Sequence, residues 1–312
     1  MKIIRAIKGI NSFNTSVITL GSYDGLHIGH LKILKKTISQ SRTFKCPSLL
    51  ITYEPHPKKV LDPNTKEGFL LSSFEEKMKI IEQIGIDYVF IISFDKKFSK
   101  LSAEDFMGKI IKKSINPTAI VVGQNHHFGF NRSGNSDFLL KYCNDNQIKL
   151  DIVNPVKNKT KIVSSTHIRE LIKMGNVNYV KPFLGRFYSF TGTIIKGSGR
   201  GNKLKFPTAN IIPKEKFQLM PGKGVYFVSV SIIGLELYGM CNFGTRPTFE
   251  DNELVMEVNI FHNFSNDLYG NDIMIKFLDK IRDEVTFYSA KELMNQLDKD
   301  KDLCLSLKKE YV

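Results

Sequence analysis

Short apolar runs alternate with amphipathic segments over the first 182 residues of this 312-residue chain and then give way to closely spaced strand-like runs. That switch limits the possible folds more than any other feature. The early runs are Val17–Leu20, Leu49–Tyr53, Tyr88–Phe94, Ala119–Gly123 and Leu150–Val156. Between them, Phe74–Ile84 carries Met78, Ile81 and Ile84 at helical spacing, and Ala103–Lys113 carries Phe106, Ile110 and Ile111. Apolar strands separated by helices specify a parallel sheet covered on both faces. After Lys181-Pro182-Phe183-Leu184-Gly185-Arg186 the runs are Phe187–Lys196, Thr208–Ile212, Val225–Ile233, Leu235–Asn242, Leu254–Phe261 and Asp272–Ile281. Strands so close together predict an antiparallel barrel. A helix over Ala290–Lys309 closes the chain, with Leu293, Leu297, Leu303 and Leu307 on its apolar side. The expected architecture is an α/β parallel-sheet (Rossmann-like) domain over 1–182, followed by an antiparallel β-barrel domain with a C-terminal helix over 183–312.

Ligands of such sheets bind at the carboxyl ends of the strands, and three segments with chemical character fall there. His27-Ile28-Gly29-His30 follows the run Val17–Leu20 and the turn Gly21-Ser22-Tyr23-Asp24-Gly25. A strand, a glycine-bounded turn and a helix start form an anion site, because free N–H groups and the positive dipole end both favour phosphate. Two imidazoles three residues apart share one face of the first turn, and Gly29 leaves the backbone between them open to a nucleotide. Ser164-Ser165-Thr166-His167-Ile168-Arg169 repeats the logic. Ser165 or Thr166 can cap a helix with Ile168, Leu171 and Ile172 on its apolar side, and Arg169 adds a permanent cation. The third segment is Gly123–Gly129. Each motif alone has an ordinary reading, as a capped helix or a pair of surface histidines. Together and in this order they resemble the HxGH and SSTxxR motifs of the nucleotidyltransferase superfamily.

The formal net charge of +14 suits phosphorylated ligands, nucleic acid or an anionic surface. The basic residues are scattered, with no stripe interleaved with aromatics. The charge therefore reads as a solvated Lys-rich surface that focuses nucleotide phosphates, and no nucleic-acid partner is expected. Cys46, Cys143, Cys241 and Cys304 lie far apart, without a C-x-x-C. They are expected to be reduced thiols in a cytoplasmic protein. No apolar stretch is long enough to span a membrane and the N-terminus lacks a signal-peptide core, so no membrane partner is expected. The pattern specifies no oligomeric state.

The second half has phosphate chemistry of its own. Gly197-Ser198-Gly199-Arg200-Gly201 is glycine-rich and basic, able to wrap an anion or to form a plain turn. In Phe206-Pro207-Thr208-Ala209-Asn210, Thr208 and Asn210 face the same way. Their hydroxyl and amide oxygens suit Mg²⁺. Glu257 is a lone carboxylate in Leu254-Val255-Met256-Glu257-Val258. Facing inward at a barrel mouth it would serve as a general base; facing solvent it would be an ordinary strand residue.

Nearly end to end, the chain resembles the bacterial bifunctional riboflavin kinase/FMN adenylyltransferases, or FAD synthetases. Leu20–His30 looks like that family's GxFDGxHxGH, Thr52–Pro57 its TFEPHP, and Val122–Gly129 with Arg132-Ser133-Gly134 its GxDFxFG…SG. Ser164–Arg169 is similar to SSTxIR, Phe206–Asn210 to FPTAN, Asn242–Thr248 to NxGxRPT, and Leu268–Gly270 and Arg282–Glu284 to the DLYG and RxE segments. The resemblance implies two ATP-dependent reactions, riboflavin to FMN and FMN to FAD with pyrophosphate released. It implies His27, His30 and Arg169 as catalytic in adenylyl transfer and Glu257 as the kinase base. Gly21, Asp24, Gly29, Asn125, Ser165, Thr166, Gly199, Gly201, Thr208 and Asn210 are implied to bind nucleotide, Thr208 and Asn210 also Mg²⁺, and Arg282 and Glu284 the flavin. Lys205 stands where the family has Gly, His126 where it has an aromatic residue, and Tyr23 where it has Phe. Two other readings compete. His27–His30 spells the HIGH of class I aminoacyl-tRNA synthetases, although no KMSKS-like loop or helical anticodon module follows. A flavin-binding protein with a degenerate site is opposed by intact His27, His30, Thr208, Asn210 and Glu257.

Overall fold

A computed structural model describes residues 1–5, 15–197, 206–247 and 252–311. Gly199, Gly201 and Lys205 lie outside the described residues. The chain divides into two compact units, one of Met1–Lys66 with Phe74–Ser164 and one of Glu67–Ser73 with Ser165–Val312.

The first unit is a six-stranded sheet. Its strands are β1 (Lys2–Ile4), β2 (Ser16–Leu20), β3 (Ser48–Glu54), β4 (Tyr88–Ser93), β5 (Pro117–Gly123) and β6 (Lys149–Val153). They lie in the order β1-β4-β3-β2-β5-β6, every neighbouring pair parallel. Helices α1 (Ile28–Thr43), α2 (Pro57–Leu61) and α3 (Phe74–Ile84) connect the early strands. The expected helix at Ala103–Lys113 opens as α4 (Ala103–Asp105) and widens into a π-helix over Phe106–Ile115, and α5 (Ser136–Asp145) follows β5. Side chains alternate across the sheet. Ile18, Leu20, Leu49, Ile51, Phe90 and Ile120 join Phe106, Ile110 and Leu139 on one side. Leu50, Val89 and Ile91 join Leu34, Ile38, Met78 and Ile81 on the other. Strands buried on both faces account for the unbroken apolar runs. The strand order reverses at β2, with β3 on one side and β5 on the other. The crevice beyond the carboxyl ends of β2 and β5 is therefore the switch point of the sheet.

The second unit is a closed barrel. Two two-residue strands, β7 (Lys157–Asn158) and β8 (Lys161–Ile162), precede it in sequence. Helices α6 (Ser165–Lys173) and α7 (Lys181–Leu184) come next. The barrel strands are β9 (Tyr188–Ile195), β10 (Ala209–Pro213), β11 (Gly224–Ile232), β12 (Leu235–Pro247), β13 (Asn252–Ile260) and β14 (Asp272–Arg282), closed in the order β10-β13-β12-β11-β14-β9. All its pairings are antiparallel. Ile168 and Ile172 of α6, Val177, Val180, Leu184 and Leu71 share one buried cluster with Tyr188, Phe190, Tyr226, Val258 and Phe277. The strand pattern changes at 182/183, whereas this packing assigns 165–184 to the barrel unit. The segment Glu67–Ser73 joins through backbone bonds: Phe69 and Leu70 N–H donate to the Phe217 carbonyl, and Leu219 N–H donates to that of Leu70. The final helix, Ala290–Leu307, covers the outer side of the barrel, where Leu297 and Cys304 meet Phe227, Met240 and Leu278.

Candidate functional sites

At the carboxyl end of β2 the chain turns sharply. Tyr23, Gly25 and Leu26 have φ of 49°, 79° and 42°. For Tyr23 and Leu26 this left-handed backbone is strained and persists only where the surroundings fix it. Both side chains are buried, and the Tyr23 hydroxyl bonds the Thr19 hydroxyl. The turn delivers His27 to the N-cap of α1, where its Nδ1 accepts from the His30 N–H at 3.2 Å. A nitrogen that accepts carries no proton, so the Nδ1 side of the His27 ring is committed to the helix start. The two rings stack with centroids 3.6 Å apart and planes 13° from parallel. Gly29 sits close against this pair: a Cβ there would lie 3.1 Å from His27 Cε1. Asp24 is buried and Gly21 lines the adjoining cleft.

That cleft, of ≈ 670 Å³, opens along the carboxyl ends of β2, β3, β4 and β5. Tyr53, Phe94, Phe98, Phe106 and Phe128 wall one side, each ring 5.5–6.0 Å from the next. Asn125, His126 and Arg132 supply polar groups. The His126 ring stacks on Phe128 at 5.6 Å, and its Nε2 is enclosed with no hydrogen-bond partner among the described residues. Burial, with His127 nearby, pushes its pKa down to about 4. Arg132 is exposed, with Asn131 and Arg132 both left-handed at φ 52° and 59°. Paired backbone bonds between Phe128 and Gly134 close the loop beneath them. The sequence pointed to Asn125, but an aromatic wall drawn from three separate strand ends and a helix has no linear signature.

In the second unit, α6 starts at Ser165, so Ser165 and Thr166 both stand in its first turn rather than before it. Arg169 is half-buried, and its Nε donates to the Phe69 carbonyl at 2.7 Å.

The barrel carries the other candidates on its outer wall. Met256 and Val258 belong to the interior cluster, so Glu257 between them faces outward, half-buried. The inward orientation weighed from the sequence is replaced by this one. Asn210 pairs with Glu257 across β10 and β13, and Asn242 pairs with Glu257 across β12 and β13. Directly paired residues share a face, so a carboxylate stands between two amides. Asn210 is 6% exposed and its amide lies against Gly197, where a Cβ would fall 2.0 Å from Nδ2. Thr208 is half-buried, two residues before Asn210; the preceding Pro207 carbonyl accepts from Asn259 Nδ2 at 2.7 Å. The Glu284 carboxylate lies over Gly244, in the space a side chain there would claim. Arg282 donates through Nε to both oxygens of buried Asp300, at 3.1 and 2.9 Å, and lies 2.8 Å from it through Nη2. This pair fixes the end of β14 to the final helix.

Comparisons with known proteins bear on both halves. The FAD synthetase family model matches residues 10–167 and the riboflavin kinase model residues 184–307. A bifunctional riboflavin kinase/FMN adenylyltransferase from Buchnera aphidicola subsp. Acyrthosiphon pisum is 35% identical over 305 residues, covering 96% of each chain. Those of Escherichia coli (strain K12) and Bacillus subtilis (strain 168) are 32% and 31% identical, covering 96% and 92% of this chain and 96% and 90% of their own. A crystal structure described as a macrolide-efflux protein from Streptococcus pneumoniae has 30% identity and a TM-score of 0.86, covering 97% of each chain. Among the described residues no helix is long and apolar enough to cross a membrane. With a family model on each half and relatives matched along nearly the whole length, the chain belongs to the bifunctional riboflavin kinase/FMN adenylyltransferases, enzymes that use ATP to convert riboflavin to FMN and FMN to FAD.

Proposed function

We propose that the outer wall of the barrel is the kinase site and the carboxyl edge of the sheet is where the flavin is adenylylated, in a cytoplasmic enzyme whose two activities divide along 1–182 and 183–312. Glu257 takes the proton of the ribityl hydroxyl as that oxygen attacks the γ-phosphate of ATP and ADP departs. The single observation that carries the reading is the Asn210–Glu257–Asn242 row, a carboxylate between two neutral amides on the outer face of the barrel. The Thr208 hydroxyl and Asn210 amide oxygens are hard donors next to that carboxylate, a set that fits Mg²⁺. Bound there with the phosphates, the ion would neutralise charge on the transferring group. The nucleotide-binding roles of Gly199 and Gly201 rest on the family resemblance, both residues lying outside the described ones. Glu284 borders the flavin, and Arg282 holds that border through Asp300.

In the sheet, the FMN phosphate attacks the α-phosphate of ATP and pyrophosphate leaves. FMN is already ionised, so no protein nucleophile is needed. His27 and His30 donate to oxygens that gain charge in the transition state. Gly21, Asp24 and Gly29 shape the turn that meets the nucleotide, and Asn125, Ser165, Thr166 and Arg169 orient its phosphates. The aromatic cleft takes the flavin ring, with Arg132 at its polar side available to the FMN phosphate. Incubating the full chain with riboflavin and Mg·ATP and separating the products tests the scheme. FMN followed by FAD is expected, and absence of both rejects it.

A further inference from the structure

Lys77 projects from α3 yet is only 7% exposed. Its ammonium donates to the Ser22 carbonyl and to the Thr52 hydroxyl, each at 3.3 Å, and the Thr52 hydroxyl itself donates to the Ser22 carbonyl at 3.3 Å. The Asp24 and Glu54 carboxylates favour its charge, while burial pushes its pKa below the usual lysine value. The ring of Phe74 lies 5.8 Å from Nζ. A buried ammonium is costly to desolvate. An exposed position on the other face of α3 would avoid that cost, so what the ammonium holds matters. It grips Ser22 and lies within electrostatic reach of Asp24, the two neighbours of Tyr23. Tyr23 is the left-handed residue whose ring meets His30 edge-on at 5.0 Å. The strained turn from Gly21 to Leu26 is thus tied from beneath to α3 and β3, and the stacked histidines stand directly after it.

We infer that Lys77 is a positioning residue for adenylyl transfer: by anchoring the Ser22–Asp24 turn to β3 it fixes the His27 and His30 rings where their N–H groups meet the reacting phosphate. The inference rests on the reading of the two histidines as transition-state donors. A misplacement of about 1 Å in a donor pair costs roughly 10²-fold in rate, whereas the groups proposed to hold FMN, the aromatic rings and Arg132, lie outside this turn. Lys77→Met in the full chain should therefore lower kcat for FAD formation from FMN by at least about tenfold. KM for FMN should stay within a few-fold, and FMN formation by the same chain should be unchanged. Lys77→Arg, which keeps the cation, should recover much of the loss. A folded Lys77→Met chain with parental kcat overturns the inference, as does one in which only KM rises. Should Lys77→Met fail to fold, Thr52→Val removes one of the two anchors at nearly constant volume. A several-fold fall in kcat then supports the role and an unchanged kcat overturns it. His30→Ala is measured alongside. If it keeps the parental rate, the histidine reading itself has failed; if it loses the rate while Lys77→Met does not, only the Lys77 inference has.

Discussion

Asn210 on β10 and Glu257 on β13 are directly paired residues of the barrel wall, and the same Glu257 is paired on its other side with Asn242 of β12. Glu257→Gln keeps the volume and the polar surroundings of that row but cannot accept a proton. FMN formation should fall by roughly 10²–10⁴, while FMN supplied directly should still be converted to FAD. Rates of the two half-reactions on the purified variant, followed chromatographically, check this; near-normal kinase turnover would return Glu257 to an ordinary strand position.

His30 provides the reciprocal case. His30→Ala removes one ring of the stacked pair without touching the N-cap bond, whose acceptor is His27 Nδ1 and whose donor is a backbone N–H. The helix start should survive, FAD formation should fall at least about a hundredfold, and FMN formation should be spared.

Arg132 is held in a left-handed turn at the cleft, with the His127 ring nitrogen 3.3 Å from its Nη2. If it receives the FMN phosphate, Arg132→Ala should raise KM for FMN by about tenfold or more, the worth of one charge-assisted contact. KM for ATP should hardly move. A rise confined to ATP would reassign the residue to the other substrate.

Separating the activities should depend on where the chain is cut. A fragment of residues 186–312 loses Ile168, Ile172, Val177, Val180 and Leu184 from the cluster they share with the barrel, each burial being worth roughly 1.5–3 kcal/mol. A fragment of residues 165–312 retains them. It should melt well above the shorter one and phosphorylate riboflavin, and neither should make FAD. Equal melting temperatures would show that α6 and α7 contribute nothing to the barrel.

His126 gives the molecule an acid sensitivity. Its pKa falls from 6.5 to about 4 in the fold, so the unfolded chain binds the proton first as pH drops. The stability tied to the neutral ring is complete above pH 6.5 and declines between 6.5 and about 4, by at most about 1.4 kcal/mol per pH unit. His126→Phe, which cannot titrate, should flatten that part of the stability curve measured by urea unfolding. An unaltered acid slope would place the titrating groups elsewhere.

Much of this architecture was legible in the sequence because burial imposes periodicity. Phe74–Ile84 is a helix from its first residue to its last, and ten of the long strands stand within a few residues of their apolar runs. Features without period were not legible. β1, three residues long, is too short to show alternation, and the π-helical widening after Asp105 leaves the helical apolar pattern intact. Glu67–Ser73 joins the barrel unit through carbonyl and N–H groups, which any sequence possesses. Lys77 and Asp300 are charges on amphipathic helices, where charge ordinarily marks the wet face; only their packing shows them buried. The orientation of Glu257 was open until Met256 and Val258 were found inside the barrel.

The sharing of one core by α6 and the barrel also orders events during synthesis. Chains emerge from the ribosome N-terminus first and their domains fold as units. The sheet of the first unit is complete once β6 has emerged. Helix α6 follows directly, but the residues that bury Ile168 and Ile172 extend to Phe277 on β14. Ser165, Thr166 and Arg169 therefore reach their final support only when the barrel closes. A nascent chain halted anywhere before β14 would display a finished sheet and still lack the core that seats α6; if Ser165, Thr166 and Arg169 orient the phosphates as proposed, the ability to make FAD matures no earlier than the barrel.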